Sequence, residues 1–423
     1  GLRLKQAEEY ARRVWPRLQW LLAYLRRVGG SKRINTEAMD SHIREVWAEN
    51  TWKFRLGIWL PAALAIFLLR RSAAARHLLV RMQSHFTPNL YADLFEKYQP
   101  SLVVASTPGW RMDRYLLREA AQYGIPTMTV IVGWDNPSSY AIRGAPLQWA
   151  SCWSQIQKDE LVYGSDWDPS RVHIGGIPSY DGYLLRRWLV PREEYFAFHG
   201  LDPHRKLISY ASSFVHFAPN YPNIEALARL IASDSLDEPA QLLIRLHPSH
   251  FQEKPKHFAE ERRRVMELAE KYPHVHVVQP KPLGGSLGYY GGEDMDEKAS
   301  MLTWSDVFVT VYSTMVVEAA VHDTPIVSAT IDAPGGWNDP KKFSLSLREI
   351  GNWPTHQRFR LSGAGRVAAN EEELRQALNL YLRDRSLDRE ARRRFVEQEI
   401  TFLDGSASRR TAEFIMKVVM GGE

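Results

Sequence analysis

Apolar positions change their spacing near Phe86. Before that point the chain is helical in character, with two apolar runs in basic flanks: Trp15 to Tyr24, and Ile58 to Leu69 closed by Arg70-Arg71. Beyond it the pattern becomes regular. Tyr91 to Tyr98 reads as a helix. Leu102 to Ala105, Thr127 to Val132, Trp149 to Trp153 and Val172 to Ile174 are short β-rich runs without polar alternation, as strands buried on both faces should be. Arg111 to Gln122, closed by Gly124, and Gln155 to Tyr163 are the helices between them. After a charged bridge, Asp181 to His204, strands are expected at Lys206 to Tyr210, Gln241 to Leu246, His274 to Val278, Val307 to Val311 and Ile326 to Thr330. Helices Pro222 to Ile231, Phe258 to Tyr272 and Met315 to His322 alternate with them, Lys298 to Trp304 leads into the fourth strand, and the tail from Glu371 to Met420 reads as arginine-rich helices. Alternating strands and helices predict an α/β chain of two doubly wound parallel sheets, Rossmann-like. The expected division is a helical segment 1–85, an N-terminal domain 86–190, a C-terminal domain 200–370 and terminal helices 371–423.

Ser305 to Asp332 is the most telling stretch. A buried strand runs into Tyr312-Ser313-Thr314, which combines a turn with a helix-cap signal, and a short helix and a further strand follow. The backbone N–H groups at such a helix start favour a phosphate. Glu318, four residues beyond Thr314, projects from the same helix face one turn along, where a carboxylate suits a ribose diol. On spacing alone, Ser313 as a plain cap and Glu318 on a solvated face is an equal reading.

Composition refines this picture. With 44% hydrophobic and 24% charged residues the chain is globular, and 423 residues suit two domains. A net charge of +5 fits an anionic nucleotide or membrane surface better than duplex nucleic acid, so no nucleic-acid partner is expected. The single cysteine, Cys152, excludes an intrachain disulfide and a cysteine-rich metal site. With a charged N-terminus that carries no signal-peptide core, a cytoplasmic location is expected. Ile58 to Leu69 is shorter than the about 20 residues a spanning helix needs. A buried helix is the preferred reading; a peripheral contact of 15–24 and 58–71 with the inner face of the plasma membrane is the other.

The pattern Ser-Asp-x-x-x-Thr-x-Tyr-Ser-Thr…Glu-Ala…Pro-Ile, from Ser305 to Ile326, resembles the nucleotide-binding segment of GT-B glycosyltransferases. It is similar in particular to bacterial enzymes of surface-polysaccharide and teichoic-acid assembly, and more distantly to nucleotide-sugar epimerases. His247-Pro248 after a β run resembles the His-Pro pair of the sialyltransferases, Kdo transferases and teichoic-acid polymerases of that fold, which works with a Ser-Thr or Ser-Ser matching Ser313-Thr314. The resemblance implies that His247 meets the donor phosphates or nucleotide. Chemically, an imidazole can donate to a leaving phosphate as its charge grows. Arg245 is a weaker donor-site candidate whose alternative is a structural ion pair. Ser212 and Ser213, after another strand, are weaker still, since such hydroxyls commonly cap helices.

Gly133-Trp134-Asp135-Asn136-Pro137-Ser138-Ser139 resembles the Ser-Trp-Asp-Asn-x-(Thr/Ser)-Ser loop of the same transferases. Asp135 is the candidate base for an acceptor hydroxyl, with Trp134, Asn136 and Ser138 on the acceptor side. An Asp-Asn-Pro turn that only fixes the loop is an equal alternative. Gly175-Gly176-Ile177-Pro178-Ser179-Tyr180-Asp181 is similar to the family's Gly-x-Pro-x-x-Asp, where Asp181 more readily braces than reacts.

The resemblance therefore implies a metal-independent glycosyltransferase with no cofactor. Its N-terminal domain would take a glycan or lipid-linked acceptor and its C-terminal domain a nucleotide-sugar donor. Alternatives are a CDP-polyol phosphotransferase, a nucleotide-sugar 2-epimerase, or a non-catalytic nucleotide-binding subunit of a glycan-assembly complex. No Walker phosphate loop, Gly-x-Gly-x-x-Gly fingerprint, nucleophile elbow or zinc-like His/Cys pairing is present. The acidic cluster Glu293-Asp294-Met295-Asp296 reads as a solvated loop before a metal site.

Overall fold

The computed structural model describes residues 2–49, 52–213, 220–251, 256–278, 292–331 and 346–421. Phe214 to Pro219, with His216, most of the glycine-rich run Lys281 to Gly292, and Asp332 lie outside them. The chain forms two compact units: Gly1–Asp181 with Trp353–Thr355 and Gln398–Glu423, and Gly182–Asn352 with His356–Glu397.

The first unit opens with five helices: α1 (Leu2–Arg13), α2 (Pro16–Val28), α3 (Glu37–Glu49), α4 (Trp52–Arg71) and α5 (Ala73–Ser84). Pro16 starts α2, where its missing N–H costs nothing, and the Ser72 hydroxyl caps α5 by accepting from the Ala75 N–H. Leu22, Leu25 and Val28 of α2, Met39 and Val46 of α3, Ile66 and Leu69 of α4, and Leu79 and Val80 of α5 form one core with Ala141 and Ile142. Buried arginines tie this layer together. Arg70 donates to the Val28 carbonyl at 3.0 Å and to Asp40 at 2.6 Å, and Arg76 holds both oxygens of Asp166 at 2.5 and 2.8 Å. One face of α4 packs inward through Ala62, Ile66 and Leu69, while Leu60, Leu64, Phe67 and Leu68 are exposed. No helix among the described residues is long and apolar enough to cross a membrane.

The strands of this unit are β1 (Val103–Ala105), β2 (Thr127–Val130), β3 (Trp149–Cys152) and β4 (Val172–Ile174), all parallel in the order β1-β2-β3-β4. Among the described residues no strand precedes β1. The final helix, Ala407–Val419, belongs to this unit. Its Phe414 stacks on His173 with ring centres 4.4 Å apart, and Asp181 accepts the N–H groups of Ala407 and Ser408 at its start. Asp181 is thus a helix-terminus brace.

The second unit carries β5 (Lys206–Ala211), β6 (Ala240–Arg245), β7 (Val275–Val278), β8 (Val307–Thr310), β9 (Ile326–Ala329) and β10 (Arg366–Ala368), all parallel in the order β10-β9-β8-β5-β6-β7. Leu207, Ile208, Leu242, Leu243, Val307 and Phe308 are fully buried, which explains the unbroken apolar runs. Polar residues inside the sheet are satisfied: the Thr310 hydroxyl donates to the Ala211 carbonyl, and the Ser305 hydroxyl to Ser209. Two expectations need correction, and one strand was missed. Gly133 to Ser139 is not all loop, because Asn136–Tyr140 forms a short helix with Pro137 in its first turn. Lys298 to Trp304 is the end of a longer helix, Gly292–Trp304. The edge strand β10 carries too short an apolar signal to be seen.

Candidate functional site

Strand order locates the site in the second unit. From β5 the chain adds β6 and β7 on one side, then crosses to place β8, β9 and β10 on the other. The reversal between β5 and β8 is a topological switch point, where the loops beyond the strand carboxyl ends diverge and leave a crevice. Ala211 pairs with both Arg245 and Thr310, so β5, β6 and β8 end level. Ser212-Ser213, His247-Pro248 and Tyr312-Ser313-Thr314 therefore emerge from one edge of one sheet.

The first two loops are tied together. The His247 backbone N–H donates to the Ser212 hydroxyl at 2.7 Å. The His247 side chain has a fixed tautomer, because the Ser249 N–H donates to Nδ1 at 3.2 Å and makes that nitrogen the acceptor. Nε2 then carries the proton. Burial, with the charges of His250 and Arg245 nearby, lowers the His247 pKa to about 4, so at neutral pH it is a neutral N–H donor. Behind it, the fully buried His250 offers Nδ1 to the His247 carbonyl and Nε2 to Glu261, at 3.1 and 2.9 Å. Glu261 also accepts the N–H groups of Asn220 and Tyr221 at the start of helix Tyr221–Ala232. Asn220 in turn accepts from the Tyr210 hydroxyl and the Ser213 N–H. Ser213 is therefore a member of a bracing network rather than a helix cap.

At the third loop, Tyr312 takes a left-handed backbone (φ 36°) and stacks on the buried His356 ring at 5.0 Å. Ser313 and Thr314 are half-buried. The first amides of helix Met315–Val321 are already engaged: Met315 N–H by the Ser313 hydroxyl, Val316 and Val317 by the carbonyls of Ser313 and Thr314. The Thr314 hydroxyl bonds no other described residue, so hydroxyls rather than free amides are what this loop offers an anion. Glu318 is not on a solvated face. It is buried, with the Lys298 ammonium at 2.7 Å and the Tyr183 hydroxyl donating at 2.7 Å to the same oxygen. Burial works against its charge, but Lys298 and Tyr183 together outweigh that and hold the carboxyl below its usual range. Arg245 is buried against Asp294, which makes the ion pair the tertiary partner of that side chain and occupies one member of the acidic cluster. Lys298, Tyr183, Glu261 and Asn220 had no legible sequence signal: Tyr183 lies 135 positions from Glu318, and the nearer three reach their partners only through the tertiary fold.

In the first unit, the Asp135 loop follows β2. Gln157, fully buried, donates to the carbonyls of Gly133 and Trp134 at 3.1 Å each and accepts from the Trp153 N–H. The Asn136 side chain lies over Gly133, where a Cβ would meet its amide at 2.2 Å, so a larger residue here would displace that side chain. Trp134 is 1% exposed and its indole N–H donates to Glu399 at 2.6 Å; its ring braces the loop instead of presenting a surface. Ser138 is also buried and donates to the Asp135 carbonyl at 3.2 Å. Asp135 itself is half-buried. Burial raises its pKa, opposed by its own N–H, the Ser139 hydroxyl and the charges of Arg27 and Arg111. Among the described residues no group of His, Cys, Asp and Glu is disposed to hold a metal ion.

No family model and no curated protein matches this chain by sequence. Solved structures do match it in fold. A UDP-GlcNAc 2-epimerase from Neisseria meningitidis bound to UDP-GlcNAc is 13% identical, with 82% of each chain covered and a TM-score of 0.53. The S. aureus MnaA–UDP co-structure is 14% identical, covering 81% of this chain and 82% of that one, with a TM-score of 0.52. The wall teichoic acid polymerase TagF lies further off, 13% identical over 76% and 73% of the two chains with a TM-score of 0.44. The fold of this chain is GT-B-like, with two Rossmann-type units built on parallel sheets.

Proposed function

We propose that this chain is a glycosyltransferase moving a sugar from a nucleotide-sugar donor to a hydroxyl acceptor in surface glycan or glycolipid assembly. The observation that carries the reading is that Ser212, His247 and Thr314 emerge from one sheet edge at the β5/β8 switch point, with Glu318 in the helix that follows Thr314. In it, Glu318 accepts from the ribose hydroxyls, the Thr314 hydroxyl meets a phosphate oxygen, and the neutral Nε2–H of His247 donates to the diphosphate as the glycosidic bond breaks. Asp135, in the first unit, takes the proton of the acceptor hydroxyl. Its raised pKa supports that role, since a base works best with a pKa nearer the working pH. Turnover in excess EDTA belongs to the reading, as does a cytoplasmic, membrane-peripheral setting.

The same donor crevice suits a nucleotide-sugar 2-epimerase, whose known examples share this fold, and a CDP-polyol phosphotransferase. Released products separate the three. The primary test is calorimetric binding of UDP, CDP, CMP, GDP and ADP to the wild type and to Glu318→Gln, UDP first because the fold neighbours hold it. One nucleotide should bind, and Glu318→Gln should weaken it at least about tenfold, as loss of a charged hydrogen bond worth about 1.5–3 kcal/mol requires. No binding by any of the five, or equal binding by the variant, overturns the donor assignment.

A further inference from the structure

In the second unit the Glu318 carboxylate is held on one side only. The Lys298 ammonium and the Tyr183 hydroxyl both lie on Oε2, at 2.7 Å each. Oε1 accepts from no described residue and is not sealed from solvent, so it shares in the 7% of the side chain that stays exposed. A carboxylate oxygen offers about two lone-pair sites, and two donors fill those of Oε2. The same two contacts oppose rotation of the carboxylate, so Oε1 keeps one direction and remains the acceptor left over for a ligand.

Both donors are themselves held. Lys298 belongs to helix Gly292–Trp304, which is fixed at the carboxyl end of β6: Asp294, one turn before Lys298, pairs with Arg245, the last residue of that strand. Its neighbour Glu297 accepts from the Tyr195 hydroxyl at 2.8 Å and meets His199 at 2.7 Å. Tyr183 is 3% exposed and packs edge-on against Trp188 and His322, with ring centres 5.3 and 5.1 Å away. The Lys298 ammonium lies 5.5 Å from the centre of the Tyr183 ring. Neither donor can follow a carboxylate that turns, so their positions decide where Oε1 stands.

We propose that Lys298 and Tyr183 are positioning residues that set Glu318 Oε1 to accept from a ribose 2′-hydroxyl, so that the site selects ribonucleotide donors over 2′-deoxyribonucleotide ones. The inference rests on the reading of Glu318 as the ribose ligand. A 2′-deoxy nucleotide would cover Oε1 without giving it a donor, and a site built to bond a hydroxyl rejects the analogue that lacks it. Lys298 also keeps the acceptor charged. Burial works against the ionised carboxyl, and the Lys298 ion pair is the first of the contacts that outweigh it. The other groups acting there are Tyr183 and Arg245, with His322, at the end of the same helix, neutral above about 4.

The test is calorimetry of the full chain with UDP and 2′-deoxy-UDP, and with CDP, CMP, GDP and ADP in the same pairs. The wild type should prefer the ribose form at least about tenfold, as one charged hydrogen bond requires. Lys298→Met and Tyr183→Phe should each bring the two forms closer together, chiefly by weakening the ribose one. Lys298→Met should also acquire a pH dependence. Without the ammonium, burial raises the Glu318 pKa and the carboxyl is neutral at low pH, so the ratio of variant to wild-type dissociation constants should fall from pH 5.5 to 8. Taking the ratio cancels the titration of the nucleotide itself. Equal binding of the two forms by the wild type overturns the inference, as does a folded variant that keeps the wild-type preference. A loss in Lys298→Met that is the same at every pH marks disturbed packing and overturns it too. Should Lys298→Met fail to fold, Tyr183→Phe, which keeps the ring, decides the matter. Weaker binding by Glu318→Gln with the preference intact in Lys298→Met and Tyr183→Phe removes the positioning role alone. Unchanged binding by Glu318→Gln, or no binding by any nucleotide, removes the donor assignment and the inference with it.

Discussion

At the scale of the residue, His247 is defined by what surrounds it. The His-Pro pair is legible in the sequence, but its protonation state is not. The neutral Nε2–H form depends on the Ser249 amide and on burial beside His250 and Arg245. In the proposed mechanism it stabilises charge that appears only as the donor bond breaks, so His247→Ala should lower turnover by about 10²–10³ and leave nucleotide affinity near wild type. Steady-state kinetics with calorimetry on the variant checks this, and full turnover would reduce His247 to a turn residue. The wild-type rate should also show no acid limb from this group near the ordinary histidine pKa, since His247 stays neutral down to about 4. Glu318 teaches the complementary lesson. Its spacing from Thr314 is plain in the sequence, yet only the fold supplies Lys298 and Tyr183 as its partners.

At the scale of the element, the stretch from Gly133 to Tyr140 shows a loop built from outside itself. Gln157, from the following helix, holds two of its carbonyls, and Glu399, far along the chain, holds its indole. The Asp135 carboxylate accepts only from within the loop, from its own N–H and the Ser139 hydroxyl. Because burial raises its pKa, keeping it ionised costs the fold free energy at neutral pH. Asp135→Asn should therefore fold with an unchanged or higher melting temperature while transfer falls by about 10²–10⁴. Gln157→Leu should act the opposite way. Leaving buried backbone groups unmatched costs about 1–3 kcal/mol, a clear drop in melting temperature, with any loss of transfer following from it. Thermal melts and single-turnover assays on the two variants separate reaction from bracing. Unfolding by Asp135→Asn would establish the turn alternative.

At the scale of the whole molecule, three histidines of the second unit, His356 buried and His247 and His322 half-buried, couple stability to pH. His247 and His322 are lowered to about 4 and His356 to about 3, in each case chiefly by burial. An unfolded histidine takes up its proton near 6.5, so between that value and about 4 the unfolded chain binds more protons than the folded one. Stability must then rise with pH across this window and fall on acidification, by up to about 1.4 kcal/mol per pH unit for each histidine. Urea titrations from pH 7 to 4.5 should show the midpoint declining, and His356→Gln should make the decline shallower. A flat midpoint would contradict the burial of these rings.

Local pattern determined the elements. Continuous β-rich runs mark strands buried on both faces, and β5 to β9 lie where those runs fall, most ending a residue or so earlier as the chain turns into its loops. Helix Met315–Val321 was equally legible, since caps and turns depend on neighbours a few residues apart. Strand order was not legible. The crossing that sets β8 beside β5 pairs residues about a hundred positions apart, and it alone creates the crevice at which Ser212, His247 and Thr314 meet. The five N-terminal helices were visible as helical chain, but their shared core was not, because Leu22, Met39, Ile66 and Leu79 meet only when packing brings the helices together. Sequence specifies which chemical groups exist and what local backbone carries them; burial, pairing and charge state are properties of surroundings, and those belong to the tertiary structure.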